Sequence, residues 1–311
     1  MDKKGILLVN LGTPKNSGKR EVKKYLKKFL SDRRVIKTHP IIWKPILNGI
    51  ILNVRPKKSA ELYREIYKND SFPLLNFTLK QKSNLKKVCP DTEVEIGMSY
   101  SEPSITTSLD NLMSKGITEL TVIPMYPQYS GTTVGSVFDT VMRYFYMKDN
   151  IINIKFIRSF YNNPIYIKYF SDKIKSAMKE MDFDAIVFSY HGIPISYVED
   201  GDCYPTECTR TTELIMEQVG DMVYYQTYQS KFGPAEWLTP ATDETLKSLP
   251  KQGVKNILIV APGFVVDCLE TLEELEKENK DYFISNGGET YRYIPPFNGD
   301  TEFSYVVKDL I

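Results

Sequence analysis

Asp184-Ala-Ile-Val-Phe-Ser-Tyr-His-Gly-Ile-Pro194 is the stretch from which the fold can be read. Its apolar core is too short for a helix, is rich in strand-forming residues, and is closed by a glycine and a proline, so it predicts a fully buried strand over 184–192. Seven runs of the same kind recur at 5–12, 93–100, 119–126, 153–160, 222–230, 256–264 and 290–297. Segments with helical periodicity separate most of them, among them 20–29, 59–67, 74–88, 104–114, 134–146, 165–181, 206–219 and 268–279. Strands alternating with helices imply βαβ units, hence parallel sheets with helices on both faces. Four strands fall before about residue 160 and four after it, which predicts an α/β protein of two similar lobes rather than one eight-stranded sheet. No Gly/Ser-rich linker marks the division, and the 147–153 loop is the best choice, giving lobes 1–150 and 151–311.

The composition bounds what such a chain can do. With 311 residues, 42% of them hydrophobic, it can bury a sizeable core, and 40 basic against 39 acidic residues give no reason to expect a nucleic-acid partner. The balance hides a split: residues 1–90 hold 22 Lys and Arg against 6 Asp and Glu, and the remainder holds 18 against 33. A basic first part suits phosphates, anionic lipid headgroups or a carboxylate ligand, and equally describes a lysine-rich solvated surface. No run matches a secretory leader or approaches the length of a membrane span, so a soluble or at most peripheral cytoplasmic protein is expected. Cys89, Cys203, Cys208 and Cys268 lack zinc-ribbon spacing and read as reduced thiols.

In folds of this class ligands bind outside the carboxyl ends of the strands. Three ends carry chemistry: Tyr126-Pro-Gln-Tyr-Ser130, Ser189-Tyr-His-Gly-Ile-Pro194 and Pro262-Gly-Phe-Val-Val-Asp-Cys-Leu-Glu-Thr271. His191 stands where a strand ends and the chain must turn, the position for a base or a metal ligand. The only other histidine, His39, lies between a basic and an apolar segment and is the weaker candidate. Glu270, Glu274 and Glu278 recur every four residues, so on an α-helix they line one face, either as a solvated acidic surface or as a ladder guiding a cation. There is no G-x-G-x-x-G after the first strand, no phosphate-binding G-x-x-x-x-G-K-[ST] and no G-x-S-x-G, which disfavours dinucleotide binding, NTP binding and serine hydrolysis. Two histidines cannot build a His-rich metal cage.

The motifs taken together resemble the ferrochelatase family from end to end. They are Leu8-Val-Asn-Leu-Gly-Thr-Pro14, Phe29-Leu-Ser-Asp-Arg-Arg-Val35, Tyr126-Pro-Gln-Tyr-Ser130 with Thr133-Val-Gly-Ser136, Ser189-Tyr-His-Gly-Ile-Pro194, Gly201-Asp-Cys-Tyr-Pro205, Gln229-Ser-Lys-Phe-Gly-Pro234 with Trp237, and Leu269-Glu-Thr-Leu-Glu-Glu274. The resemblance implies two Rossmann-like lobes, each with a four-stranded parallel sheet, and a cleft between them that holds a porphyrin. It implies insertion of Fe²⁺ into protoporphyrin IX, with coproporphyrin, cobalt or nickel insertion into a related tetrapyrrole, and a non-catalytic haem or porphyrin carrier as the alternatives. By motif, His191 and Glu270 become the catalytic pair, Glu274 joins them as a metal contact, and Thr13, Tyr126, Gln128, Tyr129, Ser130 and Trp237 become porphyrin contacts. For Trp237 a place in the core is an equal reading.

Within the basic first part, Ile41-Ile-Trp-Lys-Pro-Ile-Leu-Asn-Gly-Ile-Ile-Leu-Asn-Val-Arg-Pro56 resembles the lip of the family's pocket, implying contact with anionic membrane or with the porphyrin propionates, against a plain core helix. Gly131 stands where cluster-bearing relatives carry a cysteine and the chain stops at Ile311, so neither an iron–sulfur cluster nor any resident cofactor is expected, and a monomer is. Cys268 replaces a histidine that some relatives carry beside the glutamate, and Ser99 replaces a propionate-binding arginine.

Overall fold

The computed structural model describes residues 3–311. The eight expected strands are present: β1 (Lys4–Asn10), β2 (Glu93–Met98), β3 (Glu119–Pro124), β4 (Asn153–Phe156), β5 (Ala185–His191), β6 (Tyr224–Gln229), β7 (Asn256–Val260) and β8 (Thr290–Ile294). Helices α1 (Lys19–Leu30), α2 (Pro40–Ile46), α3 (Leu52–Ile66), α4 (Pro73–Val88), α5 (Ile105–Ser114) and α6 (Val134–Phe145) accompany the first four strands. The remaining helices are α7 (Pro164–Glu180), α8 (Ile195–Glu199), α9 (Tyr204–Val219), α10 (Thr242–Ser248), α11 (Lys280–Ser285) and α12 (Glu302–Leu310). Two segments, Leu47–Ile51 and Glu270–Asn279, take the wider π-helical winding.

The strands form two four-stranded sheets of the same topology, β2-β1-β3-β4 and β6-β5-β7-β8, with every pairing parallel. In the first, Leu8 sits beside Ile96 and Ile123; in the second, Val187 sits beside Tyr225 and Ile259. The central strands are buried on both faces, which is why they read as unbroken apolar runs. Leu7 and Val9 pack with Leu109, Leu112, Val137 and Val141, and the equivalent core of the second sheet joins Val187 and Ile259 to Leu246, Leu275 and Phe283.

The chain divides later than the 147–153 loop. The first unit comprises residues up to Tyr126, Ser130–Ser159 and Gly299–Ile311, and the second comprises Pro127–Tyr129 and Phe160–Asn298. Two pairings account for this: β4 hydrogen-bonds to β3, and α12 returns to pack on α4, where the Asn84 side chain donates to the Gly299 carbonyl at 3.0 Å.

On β2, Glu95 accepts from Lys82 and, at 2.9 Å, from Lys115. Burial works to raise the Glu95 carboxyl, but the two ammonium groups outweigh it and hold it below the usual 4.5. A depressed carboxyl stabilises the fold above its unfolded value and loses that contribution as pH falls through the folded one. Glu95→Gln should therefore lower stability by about 1 kcal/mol at neutral pH, with the difference from the parent protein fading below pH 4.5 in denaturant titrations.

Candidate active site

In the second unit, β5 delivers His191 to its carboxyl end. The Gly192 N–H closes onto the Gln229 carbonyl at 2.8 Å, and the His191 Nδ1 lies 2.7 Å from the Gly192 carbonyl oxygen. A carbonyl only accepts, so Nδ1 carries the proton, and in the neutral ring Nε2 is left with an open lone pair on an exposed side chain. Gly192 suits this close approach: a Cβ would stand 3.0 Å from the Gln229 carbonyl oxygen and 3.1 Å from the indole of Trp237, tight enough to push on both. The segment carrying Trp237 runs back along this turn, with Ile195 N–H donating to the Glu236 carbonyl at 2.9 Å and Leu238 N–H to Ile193 at 3.1 Å. Trp237 thus lies against the histidine turn, and its indole nitrogen is buried with no hydrogen-bond partner among the described residues.

The glutamate segment is wound as a π-helix, and its carboxylates do not share one acidic surface, because they take partners on opposite sides. Glu278 is exposed and accepts from the Tyr282 hydroxyl at 2.6 Å, and Glu273 pairs with Lys277 at 3.2 Å. Glu274 turns inward. It accepts from the Ser230 N–H at 2.8 Å, from the Ser230 hydroxyl, and from the Gln229 amide at 3.2 Å. Burial pushes its carboxyl up and the neighbouring Glu270 adds to that, while the Ser230 hydrogen bonds and the charge of His191 pull it down. His191, Glu270 and Glu274 are therefore electrostatic neighbours. Among the described residues no three His, Cys, Asp or Glu side chains close into a metal cage.

Sequence reading passed over the residues that hold Glu274. Gln229 donates to both the Glu270 carbonyl (3.0 Å) and the Glu274 carboxylate, and it is oriented by the Ser189 hydroxyl, which donates to its Oε1 at 2.8 Å. Ser230 takes a left-handed backbone, φ +66°, to aim both its N–H and its hydroxyl at the carboxylate. The available signal was their place at the carboxyl end of β6. Glu207 gave no such signal, because an acid on an amphipathic helix usually faces water. Here it is buried on α9 and accepts the Tyr129 N–H at 2.7 Å.

Gln128 is also buried in this unit, its amide donating to Tyr166 at 3.1 Å and Thr211 at 2.9 Å, and the Tyr166 hydroxyl in turn donates to the Pro262 carbonyl at 2.7 Å. Cys268 is buried and its thiol is pushed well up, by burial first and then by the charge of Glu270. None of the four cysteines forms a disulfide.

The remaining residues expected at the site belong to the first unit. Thr13 is buried, its N–H donating to the Ser101 hydroxyl at 3.1 Å, and Tyr126 is half-buried against the first core. Ser130 is buried and builds the turn into α6, accepting from Thr132 N–H on its hydroxyl at 3.2 Å and from Gly135 N–H on its carbonyl at 3.2 Å. His39 caps α2, its Nδ1 accepting from Ile41 N–H at 3.4 Å.

Comparison with known proteins bears on the same residues. The ferrochelatase family model matches residues 3–311. The chain is 72% identical to a coproporphyrin III ferrochelatase of Enterococcus faecalis over 100% of this chain and 99% of that one. It is 44% identical to a coproporphyrin III ferrochelatase of Lactococcus lactis subsp. cremoris (99% and 96%) and 43% identical to a ferrochelatase of Pectobacterium atrosepticum (100% and 98%). Among solved structures, SirB from Bacillus subtilis with Fe³⁺ superposes with a TM-score of 0.60 at 14% identity, covering 99% of this chain and 95% of that one, a likeness of fold. A strand-end histidine beside two glutamates, on a chain that follows these metal-inserting lyases along its whole length, places it in the ferrochelatase family.

Proposed function

We propose that the protein inserts Fe²⁺ into coproporphyrin III. The observation that carries the reaction is His191, with Nδ1–H tied to a carbonyl and Nε2 open, beside the carboxylates of Glu270 and Glu274. Metallating a porphyrin requires two pyrrole N–H protons to leave and Fe²⁺ to shed water. The open Nε2 takes the two pyrrole protons in turn, passing the first to the adjacent carboxylates of Glu270 and Glu274 before it accepts the second, and those carboxylates balance the imidazolium formed at each step. Glu270 and Glu274 offer hard oxygen ligands to the arriving substrate ion, and an incomplete shell suits an ion that must be handed on. No resident cofactor enters this scheme. Thr13, Tyr126, Tyr129, Ser130 and Trp237 are assigned to the macrocycle; Gln128, whose amide is engaged by Tyr166 and Thr211, positions its strand end.

Coproporphyrin is favoured over the protoporphyrin that the motifs suggested because the 72% identical relative is a coproporphyrin III ferrochelatase. Measured anaerobically with Fe²⁺, kcat/KM for coproporphyrin III should exceed that for protoporphyrin IX by at least about tenfold, the scale set by unmatched carboxylate contacts; equal or reversed values would return the assignment to protoporphyrin.

The same proposal makes the enzyme a cytoplasmic monomer that touches membrane only peripherally. No described helix is long and apolar enough to cross a membrane. The 41–56 segment is not a core helix, however: Ile41, Ile42, Ile50 and Val54 are exposed next to exposed Lys44, Lys57 and Lys58. An apolar stripe flanked by lysines fits an anionic bilayer surface. Reversing Lys57 and Lys58 to Glu should weaken sedimentation with vesicles containing phosphatidylglycerol by about tenfold or more, and unchanged binding would remove the membrane from the scheme.

A further inference from the structure

A cavity of about 850 Å³ opens in the first unit between the end of α1, the end of β2 and one side of α6 from Ser136 to Arg143. Its walls carry five cations and two carboxylates, and both carboxylates are engaged internally. Asp139 holds Arg34 in a bidentate pair, Nε to Oδ2 at 2.7 Å and Nη2 to Oδ1 at 2.8 Å. Asp32 accepts the Tyr100 hydroxyl at 2.7 Å, the Ser136 hydroxyl, and the Arg34 backbone N–H at 2.8 Å. Arg34 also lies over Gly135, where a Cβ would come within 3.4 Å of its guanidinium. The acids thus fix the floor and one arginine. The side chains of Lys28, Arg33 and Arg143, all exposed, have no hydrogen-bond or ion-pair partner among the described residues.

We propose that this cavity is a binding site for a small multivalent oxyanion. Three unpaired cations around a rigid, hydrogen-bonded floor give a net positive concavity, and guanidinium forks match carboxylate or phosphate oxygens. Ser136 stands in the first turn of α6, so the positive end of that helix adds to the same field. Arg34, held in a bidentate pair by Asp139, shapes the wall and leaves the ligand to Lys28, Arg33 and Arg143. The site needs no metal-insertion chemistry and stands independently of the coproporphyrin reading.

Isothermal titration of the whole protein with citrate and with inorganic pyrophosphate tests it. One site per chain is expected, with affinity lowered at least about tenfold in Arg33→Ser/Arg143→Ser. Lys155→Ser/Lys179→Ser removes the same charge from exposed positions elsewhere and should bind as the parent does. Equal weakening in both double variants, or no binding by the parent, overturns the proposal.

Discussion

His191→Ala should abolish iron insertion, with turnover expected at least about 10²-fold below the parent and at the detection limit in a standard assay, while porphyrin binding persists. The side chain is exposed and its one hydrogen bond is to the adjacent Gly192 carbonyl, so its removal opens no buried cavity and leaves stability within about 0.5 kcal/mol. What disappears is the open Nε2. The two outcomes are separable by following porphyrin fluorescence on titration with the variant and metalloporphyrin absorbance on adding Fe²⁺. Loss of both together would place the histidine in porphyrin binding rather than in proton transfer.

Glu274→Gln should also lower kcat, by about 10² to 10³-fold, through a different route. Glutamine fills the same volume, and its carbonyl can still accept the Ser230 N–H while its amide donates to the Ser230 hydroxyl oxygen, so the fold survives the loss of the Gln229 contact, but the negative charge beside His191 and Glu270 is gone. The parent's pH dependence carries the second signature. Glu274 is held above 4.5 chiefly by burial, so the folded state binds more protons than the unfolded state between 4.5 and the raised value, and stability falls as pH rises through that window. In Glu274→Gln that fall is removed, and the acid limb of the rate profile that reports Glu274 ionisation goes with it. Glu274→Ala is the harsher change, because it leaves the Ser230 N–H and the Gln229 amide without their acceptor at a cost of about 1–3 kcal/mol. A kcat in Glu274→Gln within twofold of the parent would remove the carboxylate from the chemistry.

Much of this arrangement is legible in the sequence. The eight strands could be read because β1, β5 and β7 are buried on both faces and so carry no polar interruption. His191 could be read because a strand that ends in His-Gly must expose what it ends on. The π-helical winding at Glu270–Asn279 could not, since a four-residue repeat is compatible with α spacing and only the observed hydrogen-bonding turns Glu274 in while Glu278 points out. The return of α12 to the first unit and the placing of Glu207 and Gln229 depend on contacts between segments distant in sequence, which local periodicity does not encode. Ser230 shows the limit most plainly: its left-handed backbone is uncommon for a non-glycine residue, and it is held there by a carboxylate 44 residues away.

The direct test of metal insertion at His191 is anaerobic absorption spectroscopy of parent protein and His191→Ala, each mixed with Fe²⁺ and coproporphyrin III. Catalytic conversion of the free-base spectrum to that of the iron porphyrin by the parent, and none above the uncatalysed rate by His191→Ala, is the expected result. Porphyrin bound without conversion by the parent would make the protein a carrier, and equal conversion by both proteins would move the chemistry away from His191.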